Sequence, residues 1–308
     1  MLDDLAGANI QGGSVLTIGV FDGVHLGHHY LLRQVRMLAK ERGLASAVVT
    51  FRNHPRTVLS PGAASNYITP LEERVALLRA MGVDRVVPVT FSREVAQLTY
   101  RDFVDLLIEH LSMKVLIVGP DFAMGRGRAG TAEALAAMGK ERGFIVTTLQ
   151  PFLLSGEVVS STAIRKCLAT GDMLHARRLL GRPYSLSGPV VTGDKRGRTL
   201  GFPTANLGVS PDVALPLDGI YCTIASAGGR SYDSVTSIGV RPTFGELGRT
   251  VETFIMDFAG DLYGQPMKIH LLQRLRDEKR FSGADELVAQ MRRDVETARE
   301  VLAARGPK

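Results

Sequence analysis

Apolar and polar positions follow two different rhythms along this chain, and the change falls near residue 181. In the first part, short β-rich runs alternate with stretches whose apolar positions recur every three or four residues. Ser14 to Val20 reads as a strand. From about Gly27 to Arg42, Leu31, Val35 and Leu38 fall at i, i+4 and i+7, a helical spacing, and Gly43 is the stop signal. Leu44 to Phe51 is a second strand. Thr69-Pro70-Leu71-Glu72 has the form of a capping box with proline in the first turn, and opens a helix that ends near Gly82. Arg85 to Phe91 is a strand that Pro88 confines to a sheet edge or a strand end. Thr99 opens a further helix. Lys114 to Gly119 is a nearly continuous apolar strand, as expected when both sheet faces are covered. A helix from about Thr131 and a strand from Phe144 to Leu149 complete the series. Repeated β-α-β units predict a Rossmann-like, doubly wound parallel sheet.

Beyond Gly181-Arg182-Pro183 the rhythm shortens. Ser185 to Thr192, Gly219 to Ser226, Ser231 to Ile238, Val251 to Phe258 and Met267 to Leu272 are β-rich runs separated by Gly, Pro, Asp and Ser. This spacing predicts an antiparallel β-barrel, and a helical pattern from about Gly283 to Ala304 follows it. The chain is therefore expected to be α/β followed by all-β, with domains at 1–182 and 183–308.

Composition narrows the picture only a little. The 308 residues exceed the roughly 150 of one average domain. Apolar residues at 45% and charged residues at 22% are ordinary for a globular protein and exclude global disorder or coiled coil. No apolar run reaches the roughly 18 residues of a membrane span, and the acidic start Met1-Leu2-Asp3-Asp4 does not resemble an export signal. Two distant cysteines, Cys167 and Cys222, make neither a disulfide framework nor a zinc site and fit a reducing cytoplasm. The net charge of +6 is dispersed, unlike the clustered cations of a nucleic-acid-binding face.

Candidate chemistry begins where the first strand ends. Gly19-Val20-Phe21-Asp22-Gly23-Val24-His25-Leu26-Gly27-His28 joins that strand to the first helix. Ligands of open α/β sheets bind beyond the carboxyl ends of strands. A helix N-terminus offers N–H groups and a positive dipole end to phosphate. Gly23 and Gly27 allow close backbone approach, and His25 and His28, three apart, can face one phosphate. Taken alone, the pair reads equally well as a helix cap. Ser160-Ser161-Thr162-Ala163-Ile164-Arg165, expected after the last strand of the same sheet, places three hydroxyls at a second helix start with an arginine one turn in, a second anion cradle or a plain N-cap.

In the second part, Gly193-Asp194-Lys195-Arg196-Gly197-Arg198-Thr199-Leu200-Gly201-Phe202-Pro203-Thr204-Ala205-Asn206 combines glycines with three cations. It lacks the Gly-Lys-Ser/Thr of a P-loop. Thr204 and Asn206 alternate on an extended segment, so their oxygens share a side and suit Mg²⁺ that keeps its waters and shares phosphate oxygens. Glu252, Asp257 and Asp233 are equal candidates for a carboxylate role.

These motifs resemble a known family. The first half is similar to the nucleotidyltransferase superfamily with an H-x-G-H signature. The whole chain looks like the bacterial bifunctional riboflavin kinase/FAD synthetases. The resemblance rests on G-x-F-D-G-V-H-x-G-H, Thr50-Phe51…His54-Pro55, Val118-Gly119-Pro120-Asp121-Phe122 and Ser160-Ser161-Thr162-x-Ile164-Arg165. It rests equally on Gly193 to Leu207, Ile238 to Phe244, Val251-Glu252-Thr253-Phe254, Asp261-Leu262-Tyr263-Gly264 and Leu275 to Phe281. It implies adenylylation of FMN by ATP in the first domain, with His25, His28 and Arg165 catalytic. Gly19, Phe21, Asp22, Gly23, Gly27, Ser160, Ser161 and Thr162 would hold nucleotide, and Asp121 flavin. It implies phosphorylation of riboflavin in the second domain, with Glu252 as general base and Thr204 and Asn206 on Mg²⁺. There Gly193, Gly197, Arg198, Gly201, Phe202 and Pro203 would hold ATP, and Arg276 and Glu278 the flavin. The partners implied are small molecules, with neither nucleic acid nor membrane.

The chain departs from the family at Asp121-Phe122-Ala123-Met124-Gly125, where Asp-Phe-Arg-Phe-Gly is usual, and at Asn53, where proline is usual. Those changes define an alternative, a riboflavin kinase whose adenylyltransferase domain is degenerate. A flavin- or nucleic-acid-binding regulator is a reading from another class. A different adenylyltransferase would account for the first half only.

Overall fold

The computed structural model of the protein describes residues 2–8, 10–60, 62, 65–193, 201–240 and 248–304. The chain divides into two compact units, Met1–Ser161 and Thr162–Lys308. The sequence places the change of rhythm about twenty residues later.

In the first unit, β1 (Ser14–Gly19), β2 (Ala45–Phe51), β3 (Arg85–Val89), β4 (Met113–Val118) and β7 (Ile145–Thr148) form a parallel sheet in the order β3-β2-β1-β4-β7. Two small pairs, β5 (Ala123–Met124) with β6 (Gly130–Thr131) and β8 (Leu153–Leu154) with β9 (Glu157–Val158), stand apart from it. The strand period of two sends alternate side chains to opposite faces. Leu16 and Ile18 pack on one face against Phe103, Val104 and Leu107 of α6 (Tyr100–Leu111) and Leu135 of α7 (Ala132–Arg142). Val15, Val115 and Ile117 pack on the other against Val35 and Ala39 of α2 (Leu26–Arg42). Helices α1 (Leu2–Ala6), α3 (Pro55–Leu59), α4 (Leu71–Ala80) and α5 (Arg93–Gln97) complete this unit.

Thr99 and Thr131 cap their helices as expected, and Pro88 lies in an edge strand, where its missing N–H costs no ladder bond. Two expectations need correction. Helix α4 starts at Leu71 with Pro70 as its cap residue and no side-chain cap bond, because Thr69 is buried with its N–H committed to Asp22. The Ser160–Ser161 corner follows the separate pair β8/β9 rather than a strand of the main sheet.

The second unit opens with α8 (Ser161–Thr170), which begins on the last residue of the first unit, and α9 (Met173–Leu180), which the periodicity did not single out. A closed barrel follows, in the order β10-β11-β14-β13-β12-β15. Its strands are β10 (Tyr184–Val191), β11 (Thr204–Leu207), β12 (Gly219–Ala227), β13 (Arg230–Val240), β14 (Arg249–Ile255) and β15 (Pro266–Arg276). Tyr221, Ala225, Ile238, Val251, Ile269 and Leu271 point inward and are buried. Thr223 contacts Ser234 and Thr236 at 2.8 Å, and Thr236 contacts Thr253 at 3.0 Å, so the buried hydroxyls satisfy one another. Helix α10 (Ala284–Ala303) lies on the outer barrel face, where Ala298 and Val295 meet Cys222, Val235 and Leu272.

Candidate functional site

The strand order reverses between β1 and β4, so the turn after β1 occupies the switch point of the sheet. That turn is strained. Phe21, Gly23 and Val24 have φ of 55°, 85° and 38°. Glycine takes such a value freely, but Val24 is β-branched and is held there by burial beside Leu32, Val48 and Leu78. Phe21 and Asp22, expected to line a pocket, are instead committed to the wall, at 3% and 2% exposure. The Asp22 carboxylate accepts the N–H groups of Ile68 (3.0 Å) and Thr69 (3.1 Å). The Asp22 carbonyl accepts the Ser161 hydroxyl at 2.8 Å. One residue thus ties the turn to two distant segments.

His25 caps α2. Its Nδ1 accepts the His28 N–H at 3.3 Å, and Nδ1 of His28 accepts the His25 N–H at 3.2 Å. The rings stack with centroids 3.6 Å apart. Because each Nδ1 is an acceptor, each neutral ring carries its proton on Nε2 and is a donor there. Capping therefore uses only one nitrogen of each ring, Nδ1. A Cβ on Gly27 would lie 3.0 Å from the Val159 carbonyl, so glycine lets the chain before Ser160 reach the helix start. Thr162 and Arg165 follow on the first turns of α8. Asp121 is exposed beyond β4, where its carbonyl accepts Nη2 of Arg128 at 3.1 Å.

Arg74 is the unexpected feature of this half. It is 1% exposed, Nη2 donates to the Phe51 carbonyl at 2.5 Å, and its guanidinium lies 5.4 Å from the Tyr67 ring centre. Burial lowers its pKa, and Asp22 opposes the fall. A readable trace exists in the sequence, a charge in the apolar phase of α4 beside Val75 and Leu78.

In the barrel, register assembles the second site. Thr204 pairs with Phe254 and Asn206 with Glu252, and Glu252 pairs with Ser237 on the next strand. Directly paired residues point to the same face, so all of these lie outside the barrel. Thr204, Phe254, Glu252 and Ser237 border a cleft of about 340 Å³ together with Arg276, Glu278, Phe281 and Met291. Thr204 also borders a cavity of about 620 Å³ lined by Pro203, Phe258, Leu262 and Tyr263. It therefore stands between two chambers. Phe202 packs against Phe254 at 5.1 Å, and Gly201 has φ 81°. A Cβ on Gly193 would lie 2.1 Å from the Asn206 amide nitrogen, so only glycine permits that approach. Gly197 and Arg198 lie outside the described residues, as do Arg241 to Phe244.

Of the competing carboxylates, Glu252 faces the cleft, whereas Asp257 is exposed and paired with Arg299 at 3.3 Å. Asp233 belongs to the far end of β13, opposite Ile224. Arg276 borders this cleft. Its guanidinium is held by Asp294 through Nε–Oδ1 and Nη2–Oδ2 contacts of 2.8 and 2.6 Å, with Gln290 also on Asp294 at 2.9 Å. Sequence reasoning missed Asp294, because a lone aspartate on an amphipathic helix carries no signal. Glu278 reaches the cleft beside Ser237, and partial burial, aided by the Asp218 carboxylate, raises its pKa.

Among the described residues, no three His, Cys, Asp or Glu side chains gather as a metal cage. The hydroxyl of Thr204 and the amide of Asn206 share one strand face, and oxygens of this kind suit a hard cation.

A family model described as FAD synthetase matches residues 8–163, and one described as riboflavin kinase matches residues 180–302. The bifunctional riboflavin kinase/FMN adenylyltransferase of Escherichia coli (strain K12) is 41% identical over 96% of this chain and 95% of its own. The protein of the same description from Bacillus subtilis (strain 168) is 36% identical over 94% of this chain and 92% of its own. A solved structure described as a macrolide-efflux protein from Streptococcus pneumoniae is 32% identical, covers 94% of this chain and 95% of its own, and superposes with a TM-score of 0.85. Among the described residues, no helix is long and apolar enough to cross a membrane.

Proposed function

This chain belongs to the bifunctional riboflavin kinase/FMN adenylyltransferase family, and we propose how its residues divide that work. The second half phosphorylates riboflavin with ATP to FMN, and the first half adenylylates FMN with a second ATP to FAD. The presence of both family domains in one chain favours this reading over a kinase with a degenerate first half. The break between the activities is placed at residues 182 and 183.

In the first site, the phosphate of FMN attacks the α-phosphorus of ATP and pyrophosphate leaves. The nucleophile is already anionic, so the site needs position and charge neutralisation rather than a base. His25 and His28 are assigned to the α- and β-phosphate oxygens through Nε2, beside the dipole of α2. Ser160, Ser161, Thr162 and Arg165 are assigned to the departing pyrophosphate. Gly19, Gly23 and Gly27 give the nucleotide room, and Asp121 borders the flavin. Phe21 and Asp22 shape the turn from behind.

In the second site, the ribityl 5′-hydroxyl must lose a proton as it attacks the γ-phosphorus and ADP leaves, and Glu252 is assigned as the base. Thr204 and Asn206 would hold Mg²⁺, which neutralises the transferring phosphoryl group. Gly193, Gly197, Arg198, Gly201, Phe202 and Pro203 would surround the nucleotide, with ATP in the larger chamber and riboflavin in the smaller. Arg276 and Glu278 would meet the flavin. The observation that carries this reading is the position of Thr204 between the chambers, one strand from Glu252. The two buried cysteines, far apart in sequence, and the small-molecule substrates suit the cytoplasm.

The test is turnover. Purified protein is mixed with riboflavin, ATP and Mg²⁺, and the flavins are resolved by chromatography with time. FMN should appear first and FAD after it. If neither forms, the reading fails; FMN without FAD would restore the degenerate alternative.

A further inference from the structure

Arg74 is buried to 1% exposure, yet its Nε and Nη1 have no hydrogen-bond partner among the described residues. A buried guanidinium with donors left unsatisfied lowers stability, and an apolar side chain of similar length is often as good or better there. Its presence there calls for a reason other than stability. What Arg74 touches supplies one. Nη2 holds the Phe51 carbonyl, at the carboxyl end of β2. The guanidinium lies over Tyr67, and the next two residues, Ile68 and Thr69, give their N–H groups to Asp22. Asp22 lies three residues before His25, and its carbonyl holds Ser161. Arg74 thus stands behind the turn that carries both histidines and behind the corner that opens the second cradle.

We propose that Arg74 is a positioning residue for adenylyl transfer. It pins the exit of β2 and the Tyr67–Thr69 segment so that Asp22 fixes the His25/His28 turn against Ser161. It touches no reacting atom. The effect is expected in kcat, because misplacing preorganised donors weakens the transition state more than the ground state. The proposal rests on the assignment of adenylyl transfer to this turn.

The test uses the full chain, with riboflavin phosphorylation as an internal control. Arg74→Met and Arg74→Lys are compared with the unaltered protein by thermal melting, by kcat and KM for FAD formation from FMN, and by the rate of FMN formation. Arg74→Met should melt at the same temperature or higher, lose about 100-fold in kcat for FAD formation with KM for ATP changed less than about threefold, and keep FMN formation. Arg74→Lys should recover part of that loss. The double variant Asp22→Asn/Arg74→Met should lose less than the product of the two single losses, since the residues act as one unit. A Met variant with unaltered FAD kcat overturns the proposal. So does one whose melting temperature falls sharply along with activity, since that marks a structural role, and so do multiplicative losses in the double variant. If the unaltered protein makes no FAD, the assignment of the turn has failed rather than the role of Arg74.

Discussion

The two halves handle phosphate with different architecture. The first presents a turn and two helix starts, which offer backbone N–H groups and dipole ends, and its candidate side chains lie in short contiguous stretches. Its geometry depends on strain at Phe21 and Val24, stabilised by buried partners. The second uses the outer face of a barrel, where Thr204, Asn206, Glu252 and Ser237 come from three strands and meet only by register. A turn can be read from one stretch of sequence, but a strand face needs the pairing. The first site is therefore most sensitive to what fixes the turn, and the second to what holds the strand faces and the covering helix.

The sharpest break of this comparison is a pair of single variants. His28→Ala should lower FAD formation about 10²- to 10³-fold, the loss for one preorganised donor, and spare FMN formation. Glu252→Gln should lower FMN formation about 10²- to 10⁴-fold, the usual range for a general base, and spare adenylylation of supplied FMN. Product ratios from each variant check both claims, and loss of both activities in either one contradicts separate sites.

Next in size is Asp294→Ala. Removing it leaves the mostly covered guanidinium of Arg276 beside the cleft without its carboxylate, which should destabilise the second unit by up to about 3 kcal/mol. Denaturant melts measure this, with FAD formation from FMN as the control. A smaller effect is expected from Gly193→Ala, whose new methyl displaces the Asn206 amide. KM for ATP in riboflavin phosphorylation should rise about tenfold, equivalent to roughly 1.4 kcal/mol, and an unchanged KM would remove Asn206 from nucleotide binding.

The smallest effect belongs to the scaffold of the first unit. The hydroxyl and N–H of Ser46 hold Asp84 below its ordinary value of 3.8. The stability this adds is complete above that ordinary value and is lost as pH falls through the depressed one. Melting of Asp84→Asn should therefore fall less between pH 6 and pH 3 than melting of the unaltered chain.

Much of this was legible before any coordinates. The H-x-G-H turn is contiguous, and a strand exit that meets a helix start is visible in hydrophobic period and glycine position alone. The barrel was legible as spaced β-rich runs. Illegible were the roles of residues defined by distant partners. Asp22 looked like a pocket residue and is a buried acceptor for Ile68 and Thr69. Thr69 looked like a cap and is that acceptor's partner. Arg276 borders the cleft, and the Asp294 that holds it there comes from a helix eighteen residues on.

The amino-acid order by itself determined the two fold classes, the two phosphate motifs and the family, because period, turn chemistry and contiguous signatures are local properties. Only the tertiary structure separated Glu252 from Asp257 and Asp233, put Thr204 between two chambers and buried Arg74 behind the histidine turn. Those outcomes depend on which strand faces and helix phases meet across a hundred residues or fewer of intervening chain, and burial and pairing energies arise only once they meet.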